Sequence, residues 1–280
     1  MAKCLIADSG FTKTDWRLLL TDGSIEQART SGINPYYQSE EEMLTVIKDL
    51  YGQLPVSVDE IFFYGTGCSS GVNRDKIASL LKKYYASAQI DVNHDLLAAA
   101  RSLCGDDPGI ACILGTGTNS CFYDGKKITQ NIPSLGWAIA DEGGGTYFGK
   151  TLVTDYYRKD MPEDLRKVFK ATFELTKDQF LVQVYQEPMP GRFLAGFAKF
   201  IGQHVSHPYL HQMVTHGFDV FIRKNVLKYE DCREVPVHFT GSVAYYFGSI
   251  LRQLAEKHGL YVQHITEHPI AGLTLFHQGT

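Results

Sequence analysis

Asp8-Ser9-Gly10-Phe11-Thr12-Lys13-Thr14-Asp15 lies between two apolar runs, Cys4-Leu5-Ile6-Ala7 and Trp16-Arg17-Leu18-Leu19-Leu20, and so reads as the turn of a β-hairpin. A second turn of the same character, Gly115-Thr116-Gly117-Thr118-Asn119-Ser120, follows Ala111-Cys112-Ile113-Leu114 and leads into Cys121-Phe122-Tyr123. Turns rich in Gly, Ser and Thr expose backbone N–H groups and hydroxyls, which suits them to wrap phosphate oxygens. They are also common simply because hairpins need positive φ and local hydrogen bonds. What sets the first turn apart is the carboxylate of Asp8 at the end of its strand and the ammonium of Lys13 within it. An acid and a base beside a phosphate cradle are what Mg-nucleotide chemistry requires. Two such turns imply a duplicated fold gripping a polyphosphate from both sides.

Downstream of the first turn, a third strand is expected near residues 25–30 and a helix over 40–51, with acids crowded into its first turn as the helix dipole favours. Ile61-Phe62-Phe63-Tyr64 reads as a short buried strand ending in Gly65-Thr66-Gly67. A helix over 73–85 follows with Asn73 as its cap, then a strand over 88–92 and an Ala-rich helix over 96–103. Gly105-Asp106-Asp107-Pro108-Gly109 is a strong breaker cluster, and it divides the chain into domains 1–106 and 107–280. Past it the pattern restarts with a strand, the second turn and further strands. A largely helical insertion spans about 146–227, and a strand over 235–239 resumes the sheet. Gly241-Ser242-Val243 opens a helix running to about 258, before a strand over 261–264 and a closing helix over 270–276 that packs back on the first domain.

With 280 residues, 44% of them hydrophobic, the chain can bury the cores of two domains. A net charge of −4 disfavours nucleic acid and membrane surfaces as partners, since both reward a basic face. The six cysteines (4, 68, 104, 112, 121 and 232) include no CxxC or other close pair, so no zinc or local iron–sulfur ligand set is visible. Several sit in apolar runs, as small hydrophobes do in a reducing compartment. The first strand begins almost at Met1 and no apolar run reaches membrane-spanning length, so the expectation is a cytoplasmic protein without a membrane partner.

The ordered set of segments resembles the acetate and sugar kinase/actin superfamily, and within it the family joining N-acetylglucosamine kinase with the benzoyl-CoA-reductase-type activator ATPases. Asp8 to Thr14 resembles the first phosphate hairpin, and Leu114-Gly115-Thr116-Gly117-Thr118-Asn119 the second. Val92-Asn93-His94-Asp95-Leu96-Leu97-Ala98-Ala99-Ala100 resembles the segment bearing a catalytic aspartate. Gly136-Trp137-Ala138-Ile139-Ala140-Asp141-Glu142-Gly143-Gly144-Gly145 resembles the sugar-kinase motif before the lid helices, and Phe239-Thr240-Gly241-Ser242-Val243-Ala244 the adenosine-binding turn. The resemblance implies an α/β chain of two ribonuclease H-like (actin-like ATPase) domains. Each is a mixed five-stranded sheet with flanking helices, and nucleotide binds in the cleft between the domains.

It implies ATP and Mg²⁺ as cofactors, a small-molecule sugar and nucleotide as ligands, and allows a homodimer. Gly10, Thr12, Lys13, Gly115, Gly117 and Thr118 are implied to meet the phosphates, Gly241 and Ser242 the nucleoside, and Asp8 the Mg²⁺ ion. Asp95 is implied as the general base, although by position it is equally an N-cap. Asn34, Thr118, Asn119, Trp137, Asp141 and Glu142 are implied to hold the acceptor. Each has an ordinary alternative: Asn34-Pro35 is a routine turn pair, Trp137 suits a core, and Asp141-Glu142 suits the start of a helix.

The expected activity is phosphorylation of a hexose or amino sugar, with N-acetylglucosamine and its 6-hydroxyl first. An activator ATPase of a partner reductase and a non-catalytic sugar or nucleotide sensor are the alternatives. Ser9 and Phe11 depart from the glycine-rich form of the first hairpin, and 280 residues is short for these sugar kinases.

Overall fold

In the computed structural model, which describes residues 3–10 and 12–279, β1 (Cys4–Ser9) runs antiparallel to β2 (Lys13–Leu19), which pairs antiparallel with β3 (Ile25–Ser31). Helix α1 (Glu40–Gln53) starts at a Ser39/Glu42 capping box and turns Met43, Ile47 and Leu50 inward at helical spacing. Strand β4 (Glu60–Gly65), helix α2 (Gly71–Lys82), strand β5 (Gln89–His94) and helix α3 (Asp95–Cys104) follow. The sheet order is β3-β2-β1-β4-β5, with β4 parallel to both neighbours.

Because strand side chains alternate, the unbroken apolar run of β1 serves two cores. Leu5 and Ala7 join Trp16, Phe63 and the inner faces of α1 and α2, while Cys4 and Ile6 face Tyr64 and Ala98 of α3. Two sequence expectations are corrected at helix starts. Ser70, not Asn73, caps α2, since the Asn73 N–H donates to Ser70 Oγ at 3.2 Å. His94, not Asp95, caps α3, its Nδ1 accepting the Leu97 N–H at 3.3 Å.

The second unit, Asp107–Glu267, repeats this plan strand for strand. Its sheet comprises β6 (Pro108–Leu114), β7 (Thr118–Asp124), β8 (Ile128–Ile132), β9 (Val237–Thr240) and β10 (Val262–Thr266), in the order β10-β9-β6-β7-β8. Between β8 and β9 lie α4 (Gly145–Arg158), α5 (Glu163–Phe173), α6 (Lys177–Tyr185), α7 (Pro190–Gly196), α8 (Ala198–Gln203) and α9 (Pro208–Lys224). Phe148 and Leu152 of α4 and Phe218, Phe221 and Ile222 of α9 cover one face of β6. The single helix expected over 241–258 is two, α10 (Ser242–Tyr246) and α11 (Gly248–Lys257), parted at the buried Phe247.

From His268 the chain returns to the first unit, where α12 (Ile270–Gln278) sets Ile270 and Leu273 against Cys4, Ile6 and Tyr64. Each unit therefore carries the mixed five-stranded sheet and flanking helices of an actin-like ATPase domain. All six cysteines are buried, and no disulfide forms among the described residues. No helix among them is long and apolar enough to cross a membrane.

The anchor of α12 is sensitive to pH. His277, 9% exposed, stacks on Phe62 and takes a 2.9 Å hydrogen bond at Nε2 with the Tyr64 hydroxyl. Arg101 donates to that same hydroxyl at 2.6 Å, which leaves the phenol proton to point at the imidazole. Burial, helped by the charge of Arg101, pushes the His277 pKa down to about 4. The unfolded chain, with an ordinary histidine near 6.5, therefore takes up the proton first. Stability from this site is full above pH 6.5 and falls as pH drops toward 4. The loss is on the order of 3 kcal/mol. Denaturant titrations across this range should show the loss in wild type and a shallower dependence in His277→Gln.

Candidate active site

In the first unit, the ends of β1, β4 and β5 bring together the residues that the two-strand turn announced. Asp8 sits opposite Asp15 in the β1–β2 ladder, and like charges directly across a ladder repel. Asp15 is relieved by Arg29 at 2.7 Å and Lys13 at 3.0 Å, and stays below the usual carboxylate range despite its burial. Asp8 is not relieved: burial, with the charges of Asp15 and Asp95, pushes its carboxyl up to about 7 against the pull of Lys13. A carboxyl held in that state beside two other acids is a good ligand for a hard divalent cation, which would restore its charge. Among the described residues no cluster of three or more acidic, His or Cys side chains forms a complete cage. A single carboxylate such as Asp8 would fit Mg²⁺, which keeps several waters and takes other ligands from phosphates.

Ser9 explains its own departure from glycine. Its Oγ accepts from the Ile33 N–H at 3.0 Å, donates to the Ile33 carbonyl and pairs with Thr14 Oγ1 at 2.8 Å. The hydroxyl thus bolts the hairpin to the segment that carries Asn34. Gly10 closes the turn through its N–H to the Lys13 carbonyl at 3.0 Å, and Thr12 is exposed at the tip. Phe11 lies outside the described residues. Lys13 Nζ also bonds His268 Nε2 at 3.1 Å.

Asn34 is both things its sequence allowed. Its Oδ1 accepts the Tyr36 N–H at 3.0 Å as a turn residue, while among the described residues no acceptor engages its Nδ2. It packs against Gly67, where a side chain would put Cβ 2.8 Å from Oδ1. Asp95 is half-buried at the start of α3, and with His94 supplying the cap its carboxylate is spared that duty. Thr66 donates to Asp95 Oδ2 at 2.8 Å, and its own N–H is fixed to the Ser9 carbonyl at 3.0 Å. Sequence reasoning missed Thr66. Its only signal was the polar residue between two glycines at a strand end.

In the second unit, Gly115, Thr116 and Gly117 form a loop closed by the Gly115 N–H to Gly117 carbonyl bond at 3.0 Å. The start of α4 holds it, Gly145 and Thr146 donating to the carbonyls of Gly115 and Thr116. Asp141, 6% exposed and at φ 63°, braces it from behind. Its carboxylate accepts from Ser134 Oγ at 3.1 Å and from the Thr118 backbone. A Cβ on Gly117 would stand 2.5 Å from Asp141 Oδ2, so any larger residue there would have to displace that carboxylate. Burial raises the Asp141 carboxyl above its ordinary range, the two hydrogen bonds notwithstanding.

Burial also works on Glu142, but its 2.6 Å pair with Lys224 wins and holds the carboxyl low. Thr118 is buried, Asn119 accepts from Asn131 at 3.1 Å, and Trp137 is half-buried against Gly191 rather than in a core.

Beside this loop lies a cavity of about 710 Å³, reached by Gly115, Thr116, Gly145, Ser242 and Phe247. Gly241, at φ 115°, gives its N–H to the Thr266 carbonyl at 3.0 Å and turns the chain into α10 just short of the cavity wall. Ser242 is exposed on that wall. The Gly115–Gly117 loop, the turn at Gly241 and the cavity are thus one local assembly of the second unit.

Neither a protein-family model nor a curated protein matches the chain. Solved structures do. A candidate N-acetylglucosamine kinase from Porphyromonas gingivalis is 38% identical, with 99% of each chain covered and a TM-score of 0.94. That relative shares the shortness noted in the sequence. A second candidate N-acetylglucosamine kinase, from Chromobacterium violaceum, shares the fold at 15% identity, 99% coverage of each chain and a TM-score of 0.76. A glucokinase from Streptomyces griseus, solved with glucose and AMPPNP, shares it more distantly, at 12% identity, 99% coverage of each and a TM-score of 0.55. With the duplicated sheet, a Gly-, Ser- and Thr-rich turn in each unit and full-length identity of 38% to the first of these, the chain belongs to the N-acetylglucosamine kinase and activator-ATPase family of the acetate and sugar kinase/actin superfamily.

Proposed function

We propose that the protein is an ATP-dependent sugar kinase acting on a hexose or amino sugar, with N-acetylglucosamine and its 6-hydroxyl the first candidates. The observation that carries the reading is Asp95. It is spared from capping by His94, aimed by Thr66 and set within electrostatic reach of Asp8. Such a carboxylate is fit to accept the proton of an attacking hydroxyl. As the new O–P bond forms, the γ-phosphoryl group leaves ADP, and little else is asked of the protein than position and charge.

Each unit has its share. Asp8 would hold Mg²⁺ through water, and that ion supplies neutralisation of the β- and γ-phosphate oxygens. Gly10, Thr12 and Lys13 of the first unit, and Gly115, Gly117 and Thr118 of the second, are the residues that the family resemblance assigns to the phosphates. Gly241 and Ser242 border the cavity that takes the nucleoside. Asn34 offers Nδ2 to a sugar hydroxyl or carbonyl, with Asn119 and Trp137 as further contacts. Asp141 and Glu142 reach the sugar only with lone pairs left over from Thr118, Ser134 and Lys224.

ADP release coupled to a panel of hexoses and amino sugars tests the reading. Turnover should depend on added sugar, with N-acetylglucosamine among the best acceptors. Turnover indifferent to every sugar would point to an ATPase, and tight sugar binding without turnover to a sensor. The buried cysteines speak against the activator alternative, which needs thiolates at a surface to share a cluster.

A further inference from the structure

Helices α7 and α8 run on through Phe197, itself helical at φ −69° and ψ −18°, so side-chain spacing carries across the joint. Their cavity face bears Arg192, Ala195, Lys199 and Gly202, three or four residues apart. Ala195 and Gly202 keep that face low, and the two cations rise from it. No Asp or Glu lines the cavity, and Glu267, which reaches the lining residue Tyr246, is engaged with its hydroxyl. Both cations are exposed, and among the described residues no hydrogen bond or ion pair engages either. In a chain of net charge −4, two uncompensated positive charges on one cavity wall call for an anion.

We infer that Arg192 and Lys199 form an anion subsite that holds the phosphates of a nucleoside polyphosphate in this cavity. The inference rests on the nucleotide reading of the cavity and extends it to which ligands are selected. Direction along the cavity supports it. The Arg192 end is the phosphate-loop end, since a Cβ on Gly145 would stand 3.0 Å from Ala195 Cβ. The Gly202 end is apolar, with Phe247 3.8 Å from a Cβ built on Gly202. A flat base belongs against the aromatic and small side chains, and the charged groups belong toward the loop. The planar guanidinium can take two phosphate oxygens at once, and the ammonium acts as a point charge. An uncharged nucleoside meets the same walls and gains nothing from either.

Binding of ADP and of adenosine to the full chain, without sugar and at low and high salt, tests this in Arg192→Met, Lys199→Met and the double variant. Each single change should weaken ADP by roughly tenfold and leave adenosine within about twofold. The salt sensitivity of ADP binding should fall with each charge removed. Arg192→Lys should retain part of the affinity. Because both residues are exposed, circular dichroism should report an unchanged fold. Parallel losses for ADP and adenosine, or no loss of ADP binding at all, would overturn the subsite while leaving the nucleotide cavity standing. A wild-type protein that binds neither ligand would overturn the cavity reading and the subsite together.

Discussion

Asp95→Asn should cut sugar-dependent ADP release by roughly 10²- to 10⁴-fold, the range that loss of a general base gives. The substitution keeps the shape of the side chain and leaves an amide oxygen to accept from Thr66 Oγ1, now 2.8 Å from the carboxylate. The cap of α3 belongs to His94, so no helix-start contribution is lost either. The fall should therefore appear in kcat, with sugar and nucleotide affinities changed little and thermal stability intact. Removing a charge that raises the Asp8 carboxyl should, if anything, lower that carboxyl and favour its ionised form. Thr66→Val, which frees Asp95 to rotate, should give a smaller loss of the same kind. Turnover in Asp95→Asn close to that of wild type would remove the residue from the chemistry.

Gly241→Ala should produce a large loss of stability. At φ 115° the backbone is in a region that L side chains rarely adopt, and the added methyl would press on the Leu114 carbonyl oxygen. That atom is main chain of the central strand β6 and has nowhere to go. Strain and overlap together are worth about 2–4 kcal/mol. A drop of roughly 5 to 15 °C in the melting of the second unit follows. Nucleotide binding should weaken with it, because Ser242 rides on the same turn. Gly248→Ala is the control: its Cβ would meet Ile265 at an ordinary 3.6 Å, and stability should stay within about 1 kcal/mol. Equal effects of the two substitutions would mean that the Gly241 conformation is not the constraint.

Much of this fold could be read from residue order because its signals are local. The apolar runs of β1 and β6, each ended by a Gly-, Ser- and Thr-rich turn, announce the hairpins through period-2 burial and turn chemistry. That Asp95 is spared from capping could not be read that way. Asp is a common N-cap and His a rare one, so the carboxylate seemed committed where the imidazole does the capping. Ser70 and Asn73 are both cap types three positions apart, and only the hydrogen bond distinguishes donor from acceptor. The break at Phe247 leaves no trace in an apolar pattern that continues across it. Thr66 and the Ser9–Ile33 bolt join segments far apart in sequence, where no spacing rule applies. The pair Arg192 and Lys199 was legible in principle, as cations seven residues apart over small side chains, but only a cavity wall gives that spacing a meaning.

The return of the chain at His268 has a consequence for how the protein is made. The ribosome emits β1 to α3 first, yet the face of Cys4, Ile6 and Tyr64, met on one side by Ala98 of α3, gains the rest of its cover only when α12 emerges after the whole of the second unit. During elongation that apolar face must wait half covered, the period in which nascent chains attract chaperones or one another. The later half of the polypeptide can mature on its own schedule, whereas the earlier half is finished last.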